Sequence, residues 1–180
     1  MADIKGTKTE QNLNAAFAGE AQARVKYQYY ASKAKKDGYE QIAAIFEETS
    51  DNEKEHAKIW FKLLHDGAVP DTPANLEDAI AGEQYEETEM YVKFAEEARA
   101  EGFDEIAKLF EEVGKIEADH EKRYRKVLEN IEKGMVFKGD GVTVWKCRNC
   151  GYIHIGNSAP ELCPVCSHPQ AYFEIRAENF

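Results

Sequence analysis

The chain repeats itself, and the repeat limits what it can fold into. Residues 27–48 (YQYYASKAKKDGYEQIAAIFEE) align with residues 91–112 (YVKFAEEARAEGFDEIAKLFEE) at an offset of 64, and the same offset carries Glu53 onto Glu117 and His56 onto His120. Within the first copy Ile42, Phe46, Thr49, Glu53, His56, Trp60 and Leu63 recur at steps of four and three. Ile106, Phe110, Val113, Glu117, His120, Tyr124, Val127 and Ile131 follow the same rhythm in the second. Each series is one face of a helix, so each Glu-x-x-His pair lies inside an apolar stripe. A carboxylate taken out of water without a partner costs several kcal/mol or more, so a chain that repeats this placement is expected to supply a cation.

The pattern predicts four helices. The first covers residues 12–36 and stops at Asp37-Gly38; the second covers 39–65 and stops at Asp66-Gly67. Residues 68–74 contain two prolines and read as an extended connector, whose nine or so residues with their flanks could reach about 30 Å. The third helix is expected over residues 75–101 and the fourth over 103–133, ending at Gly102 and Gly134. Upstream the register changes, because Ala18-Gly19-Glu20 matches Ala81-Gly82-Glu83 at an offset of 63. One extra residue therefore sits between Glu83 and Tyr91, and a π-bulge is the expected way for a helix to absorb it.

Carried through the repeat, the helices bring Glu20, Glu53 with His56, Glu83 with Glu86, and Glu117 with His120 to one level. Five carboxylates and two imidazoles exceed the needs of one ion and suit iron, manganese or zinc. A glutamate from two helices and Glu-x-x-His from the other two is the described pattern of ferritin-like dimetal proteins. Five carboxylates against two ferrous ions, or against two ferric ions with an oxo bridge, leave the same net charge, which is compatible with redox cycling in a low-dielectric pocket. Glu86 has no counterpart in the first copy, where Gln22 or Ala23 aligns. An ion able to exchange Glu86 for His56 would have a redox-dependent ligand. Tyr27 and Tyr91 lie near the same faces, as core aromatics or as phenolic donors to a carboxylate or peroxide. Glu55, Glu87, Asp119 and Glu121 are expected to stay solvated.

Beyond Gly134 the composition shifts. Residues 136–145 alternate and are rich in valine, which suggests a strand or hairpin, and Cys147-x-x-Cys150 and Cys163-x-x-Cys166 follow. Four thiolates at this spacing make a tetrahedral site for zinc or a single iron. Trp145, Tyr152 and Phe173 are expected to form a small aromatic core beside it. The boundary falls near residues 134–141, giving domains 1–137 and 138–180; the second is too short for an apolar core of its own and needs a metal to fold. The formal charge of −11 and a pI near 5.0 disfavour nucleic acid and anionic membranes as partners. No apolar run approaches a membrane span and the first residues are polar, so the expected location is the cytoplasm, where paired cysteines favour metal over disulfides.

These residues resemble those of the rubrerythrins over essentially the full chain. Glu20, Glu53-x-x-His56, Glu83-x-x-Glu86 and Glu117-x-x-His120 match that family's dimetal ligands. Tyr27 and Tyr91 match its site tyrosines, and CRNCGY with CPVCSHPQAYFE matches its rubredoxin-like tail, with Ser167 where free-standing rubredoxins usually carry glycine. The resemblance implies a mainly α fold: a ferritin-like four-helix bundle of two repeated helix pairs, then a small β-rich rubredoxin-like domain. It further implies a non-haem diiron peroxidase that reduces hydrogen peroxide to water, with electrons relayed from a reduced donor such as a rubredoxin through Fe(Cys)4. A homodimer is implied too, the tail of one chain approaching the dimetal site of the other. A ferroxidase using the same acids, or a non-enzymatic module holding zinc throughout, remain alternatives.

Overall fold

The computed structural model describes residues 3–179. Two compact units meet in sequence between Pro70 and Asp71. The first is a helix pair, α1 (Lys8–Lys36) and α2 (Glu40–Leu64). Thr7 begins α1 because its hydroxyl accepts the Glu10 backbone N–H at 3.1 Å, while the Glu10 carboxylate accepts the Gly6 N–H at 2.6 Å. This cap places the start earlier than residue 12. Gly38 takes φ +85°, and the turn closes as Tyr39 N–H donates to the Ala34 carbonyl. Ala31, Ala34 and Ala43 form the buried seam with Phe46 packed on it, and Lys35 Nζ bonds Glu47 at 2.5 Å across the pair.

The second unit opens with α3 (Thr72–Tyr85), a π-turn (Glu86–Met90), α4 (Tyr91–Ala100) and α5 (Asp104–Glu132). Asp71 caps α3 by accepting the Ala74 N–H at 3.0 Å, and Pro73 sits in the first turn where its missing N–H costs nothing. The expected start at residue 75 and the connector ending at residue 74 are thereby corrected: helix is absent only over residues 65–71, whose extended reach is about 25 Å. The π-turn falls where the repeat gains its residue, with Tyr91 N–H donating to the Glu86 carbonyl five residues back.

After the turn the two pairs match position for position. Ala95, Ala98 and Ala107 form the seam with Phe110, and Arg99 clasps Glu111 at 2.6 Å. Each stands 64 residues after its counterpart. One place differs. Buried Ser50 in α2 donates to the Arg24 carbonyl at 3.0 Å, whereas its partner in the repeat is Gly114, where an added Cβ would meet Tyr91 Cβ at 3.4 Å.

The second unit ends in an antiparallel sheet of order β2-β1-β3, formed by β1 (Lys138–Cys147), β2 (Ile153–Ser158) and β3 (Phe173–Ile175). Trp145, Cys147, Ala159, Cys163 and Phe173 make its core, with Phe137, Tyr152 and Cys166 against it. The Trp145 indole N–H donates to the Gly156 carbonyl at 3.1 Å, so the largest buried ring is polar-satisfied. Among the described residues no helix is long and apolar enough to cross a membrane.

Candidate metal centres

In the first unit Glu20 from α1 meets Glu53 and His56 from α2, with one ligand atom from each lying within 4.8 Å of the others. His56 Nδ1 stands 2.8 Å from Glu53 Oε2 and 3.8 Å from Glu20 Oε2. The second unit repeats the arrangement with Glu83 from α3 and Glu117 and His120 from α5. Here His120 Nδ1 stands 2.7 Å from Glu117 and 3.6 Å from Glu83. Glu53 and Glu117 are 15 and 13 % exposed, whereas the imidazoles of His56 and His120 are 52 and 39 % exposed within the chain. The carboxylates therefore sit low against each helix pair and the imidazoles form the rim.

Glu86 lies outside both three-residue groups. It begins the π-turn, half-buried, close enough that its charge acts on the groups around it. The Glu83 carboxyl is raised above the usual carboxylate range by burial first and then by the charge of Glu117, with a smaller push from Glu86; His120 opposes the shift. Tyr91 is raised in the same way, by burial and then by Glu86, Glu117 and Glu83, which keeps its hydroxyl protonated as a donor. Its ring packs on Phe94 and Phe110. Tyr27 packs equivalently on Tyr30 and Phe46.

Three further side chains depart from the sequence pattern, the first being Glu87, which is half-buried beside Glu86 rather than solvated. Glu121, expected to be solvated, is 14 % exposed and accepts bonds from Arg125 one turn on. Trp60 lies one turn beyond His56 and holds its indole N–H buried without a protein partner; only its place in the stripe marked it.

The tail gathers Cys147, Cys150, Cys163 and Cys166. Cys147 and Cys166 sulfurs are 3.8 Å apart and Cys150 and Cys163 sulfurs 3.5 Å apart. A tetrahedral ion with bonds of about 2.3 Å needs sulfurs about 3.8 Å apart, so the pocket is already of the right size. The knuckles are near copies. Cys147 N–H donates to the Tyr152 carbonyl and Gly151 N–H to the Cys147 carbonyl; Cys163 N–H donates to His168 and Ser167 N–H to Cys163, all at 2.8–2.9 Å. The fifth residue of each knuckle takes positive φ, +79° at Gly151 and +56° at Ser167, so the serine occupies a conformation that favours glycine. The His168 backbone pulls the Cys166 thiol down to about 6, against desolvation and helped by its neighbours. At Cys150 the Tyr152 backbone lowers the thiol, but desolvation and the other three sulfurs outweigh it and push it up to about 12. One sulfur ionises readily and another resists, the behaviour of four thiols that need a cation to share one pocket.

The donor chemistry fits two kinds of ion: oxygen-rich sets with one imidazole each suit iron or manganese, and four sulfurs suit iron or zinc. Comparison with known proteins agrees. Residues 11–128 match the rubrerythrin family model, and residues 145–174 match that of the rubrerythrin rubredoxin-like domain. The chain is 49 % identical to rubrerythrin from Nitratidesulfovibrio vulgaris, with both chains covered in full, and 50 % identical to rubrerythrin from Porphyromonas gingivalis, covering 98 % of this chain and 94 % of that one. A structure of nigerythrin in a partially reduced state aligns over 98 % of this chain and 91 % of its own at 32 % identity, with a TM-score of 0.37. With a ferritin-like diiron ligand set followed by a rubredoxin-like tail in that order, the chain belongs to the rubrerythrin family.

Proposed function

We propose that the protein is a non-haem diiron peroxidase that reduces hydrogen peroxide to water, drawing electrons from a reduced rubredoxin-type donor through an iron held by Cys147, Cys150, Cys163 and Cys166. The observation that carries the reading is the presence, in one chain, of two Glu/Glu/His groups and a sulfur pocket sized for a tetrahedral ion such as iron. Glu20, Glu53, His56, Glu83, Glu86, Glu117 and His120 would hold the two irons. When bound, those ions supply the two electrons that O–O cleavage consumes, and the sulfur-bound iron returns electrons singly.

The chain's own groups handle protons and position. Glu83, whose carboxyl is raised by burial and by the charge of Glu117 in the metal-free chain, would lose that proton as it takes up an ion. Tyr91, kept protonated by burial and three carboxylates, offers its hydroxyl hydrogen as a donor, and Tyr27 holds the matching place in the other pair. Glu86, which has no counterpart in the first half, and His56, the imidazole with the greater exposure, would be the ligands able to exchange as the oxidation state changes. The bundle over residues 1–137 serves the reaction and residues 138–180 serve electron entry, in a homodimer. Mixing the fully reduced protein separately with peroxide and with oxygen tests the reading: peroxide should oxidise it faster, and faster oxidation by oxygen would point instead to a ferroxidase. A colourless, iron-free native protein would favour the zinc-stabilised module.

A further inference from the structure

The repeat supplies an internal control for what helix packing alone requires. Gln28, Ser50 and Lys54 of the first pair correspond, 64 residues on, to Val92, Gly114 and Ala118 of the second, while Tyr27 and Phe46 are kept as Tyr91 and Phe110. The three changes remove polar or long side chains from one place, the groove between α4 and α5 beside the π-turn. There Val92, Gly114 and Ala118 join Tyr91 and Phe110 around a cavity of about 610 Å³. The matching groove of the first pair, which Gln28 and Ser50 help to line, holds about 370 Å³. Both pairs close on the same alanine seam, so the wider groove is not needed for folding. Its volume and apolar walls are those of a small-molecule site, roughly 300–1,000 Å³ in most proteins.

The charge at the edge of the cavity is one-sided. Lys115 and Lys122 reach back to Glu112 and Asp119 on their own helix, at 2.7 and 3.4 Å, and Glu111 is held by Arg99 at 2.6 Å. Glu87 lines the cavity from the π-turn, half-buried, and no hydrogen bond or ion pair holds its carboxylate among the described residues. The first pair has no acid in its place, since Ala23 or Arg24 aligns with it. A half-buried carboxylate beside two aromatic rings suits an ammonium group, and the apolar walls suit the hydrocarbon that carries it. We propose that this cavity binds a small organic cation, an ammonium group on an aryl or alkyl chain, with Glu87 as its counter-ion and with Val92, Gly114 and Ala118 making room for the chain. Binding there is independent of the peroxidase reading, because neither Glu87 nor any of the three space-making residues is a metal donor.

Titration calorimetry of the full, metal-loaded protein tests this, with phenethylammonium as the probe and phenethyl alcohol as its uncharged counterpart. Wild type should bind one phenethylammonium per chain, saturably and about fivefold or more tighter than the alcohol. Glu87→Gln should erase that preference while leaving the alcohol bound as before. Gly114→Ser and Ala118→Lys each install the residue that the first pair carries, and each should weaken phenethylammonium about tenfold or more. Ser50→Gly, the reverse change in the first pair, should leave binding as in wild type. Helical circular dichroism identifies the variants that remain folded, and two substitutions on different turns of α5 keep a readout if one of them unfolds. No saturable binding by wild type, or wild-type affinity in folded Gly114→Ser or Ala118→Lys, would overturn the site. A preference for the ammonium that survives Glu87→Gln would overturn the cation's pairing with that carboxylate, and a loss in Ser50→Gly equal to that in Gly114→Ser would show that the cavity is not where the probe sits.

Discussion

Two residues of the second helix pair carry consequences that can be measured singly. The raised carboxyl of Glu83 means that the metal-free fold holds this proton more tightly than the unfolded chain does. Stability of the metal-free protein should therefore grow as pH falls through the raised value, reach its full gain below the ordinary 4.5, and be smaller at neutral pH. Urea unfolding across that window checks the sign, and Glu83→Gln should flatten this part of the profile. Glu86 matters differently. If it exchanges with His56, Glu86→Ala should lower peroxide turnover by about tenfold or more; turnover at the wild-type rate would remove the exchange from the mechanism. Sequence spacing was enough to pick out the members of the two groups, Glu20 with Glu53 and His56, and Glu83 with Glu117 and His120, because helical periodicity and the repeat both fix position within a helix pair. It could not give exposure. The rim position of the imidazoles and the Arg125 cover over Glu121 depend on rotamers and on neighbours four residues away, which apolar spacing does not encode.

At the scale of elements, helix starts were the least legible. The apolar rhythm of α1 begins at Leu13, yet its backbone begins at Lys8 because the Thr7 hydroxyl satisfies the free N–H of Glu10 while the Glu10 carboxylate holds the Gly6 N–H just before the helix. Removing that hydroxyl in Thr7→Ala should cost about 1 kcal/mol in denaturant unfolding. Asp71-Thr72-Pro73 misled in the opposite way. Two prolines nearby suggest an extended link, but a proline in the first turn after a capping aspartate starts a helix rather than breaking one. The π-turn was legible for a simple reason: a change of repeat offset from 63 to 64 within a continuous helix has to be absorbed somewhere. Deleting Thr88, within the turn, should restore a regular ladder like that of α1 and take Glu86 off its present face. Amide exchange over residues 86–91 reads the first effect, and loss of the Glu86 contribution to the pKa of Tyr91, followed by its ultraviolet titration, reads the second.

On the scale of the whole molecule, charge and metal dependence divide along the chain. Lys138, Lys146, Arg148 and Arg176 balance Asp140, Glu161, Glu174 and Glu178, so the excess of negative charge belongs to the helical residues before them. The tail's small core contains two of the sulfurs themselves, Cys147 and Cys163, packed with Trp145 and Phe173. Withdrawing its ion should open that core and leave the helices standing: Trp145 fluorescence should shift red while helical circular dichroism changes little. The paired knuckles have one more effect. Because backbone bonds hold the sulfurs at the spacing an ion requires, gain or loss of a single electron there asks for little movement of nuclei. With iron bound, a cage of this kind would lower the reorganisation that slows electron hopping, as the proposed role of the tail in conducting rather than storing electrons requires.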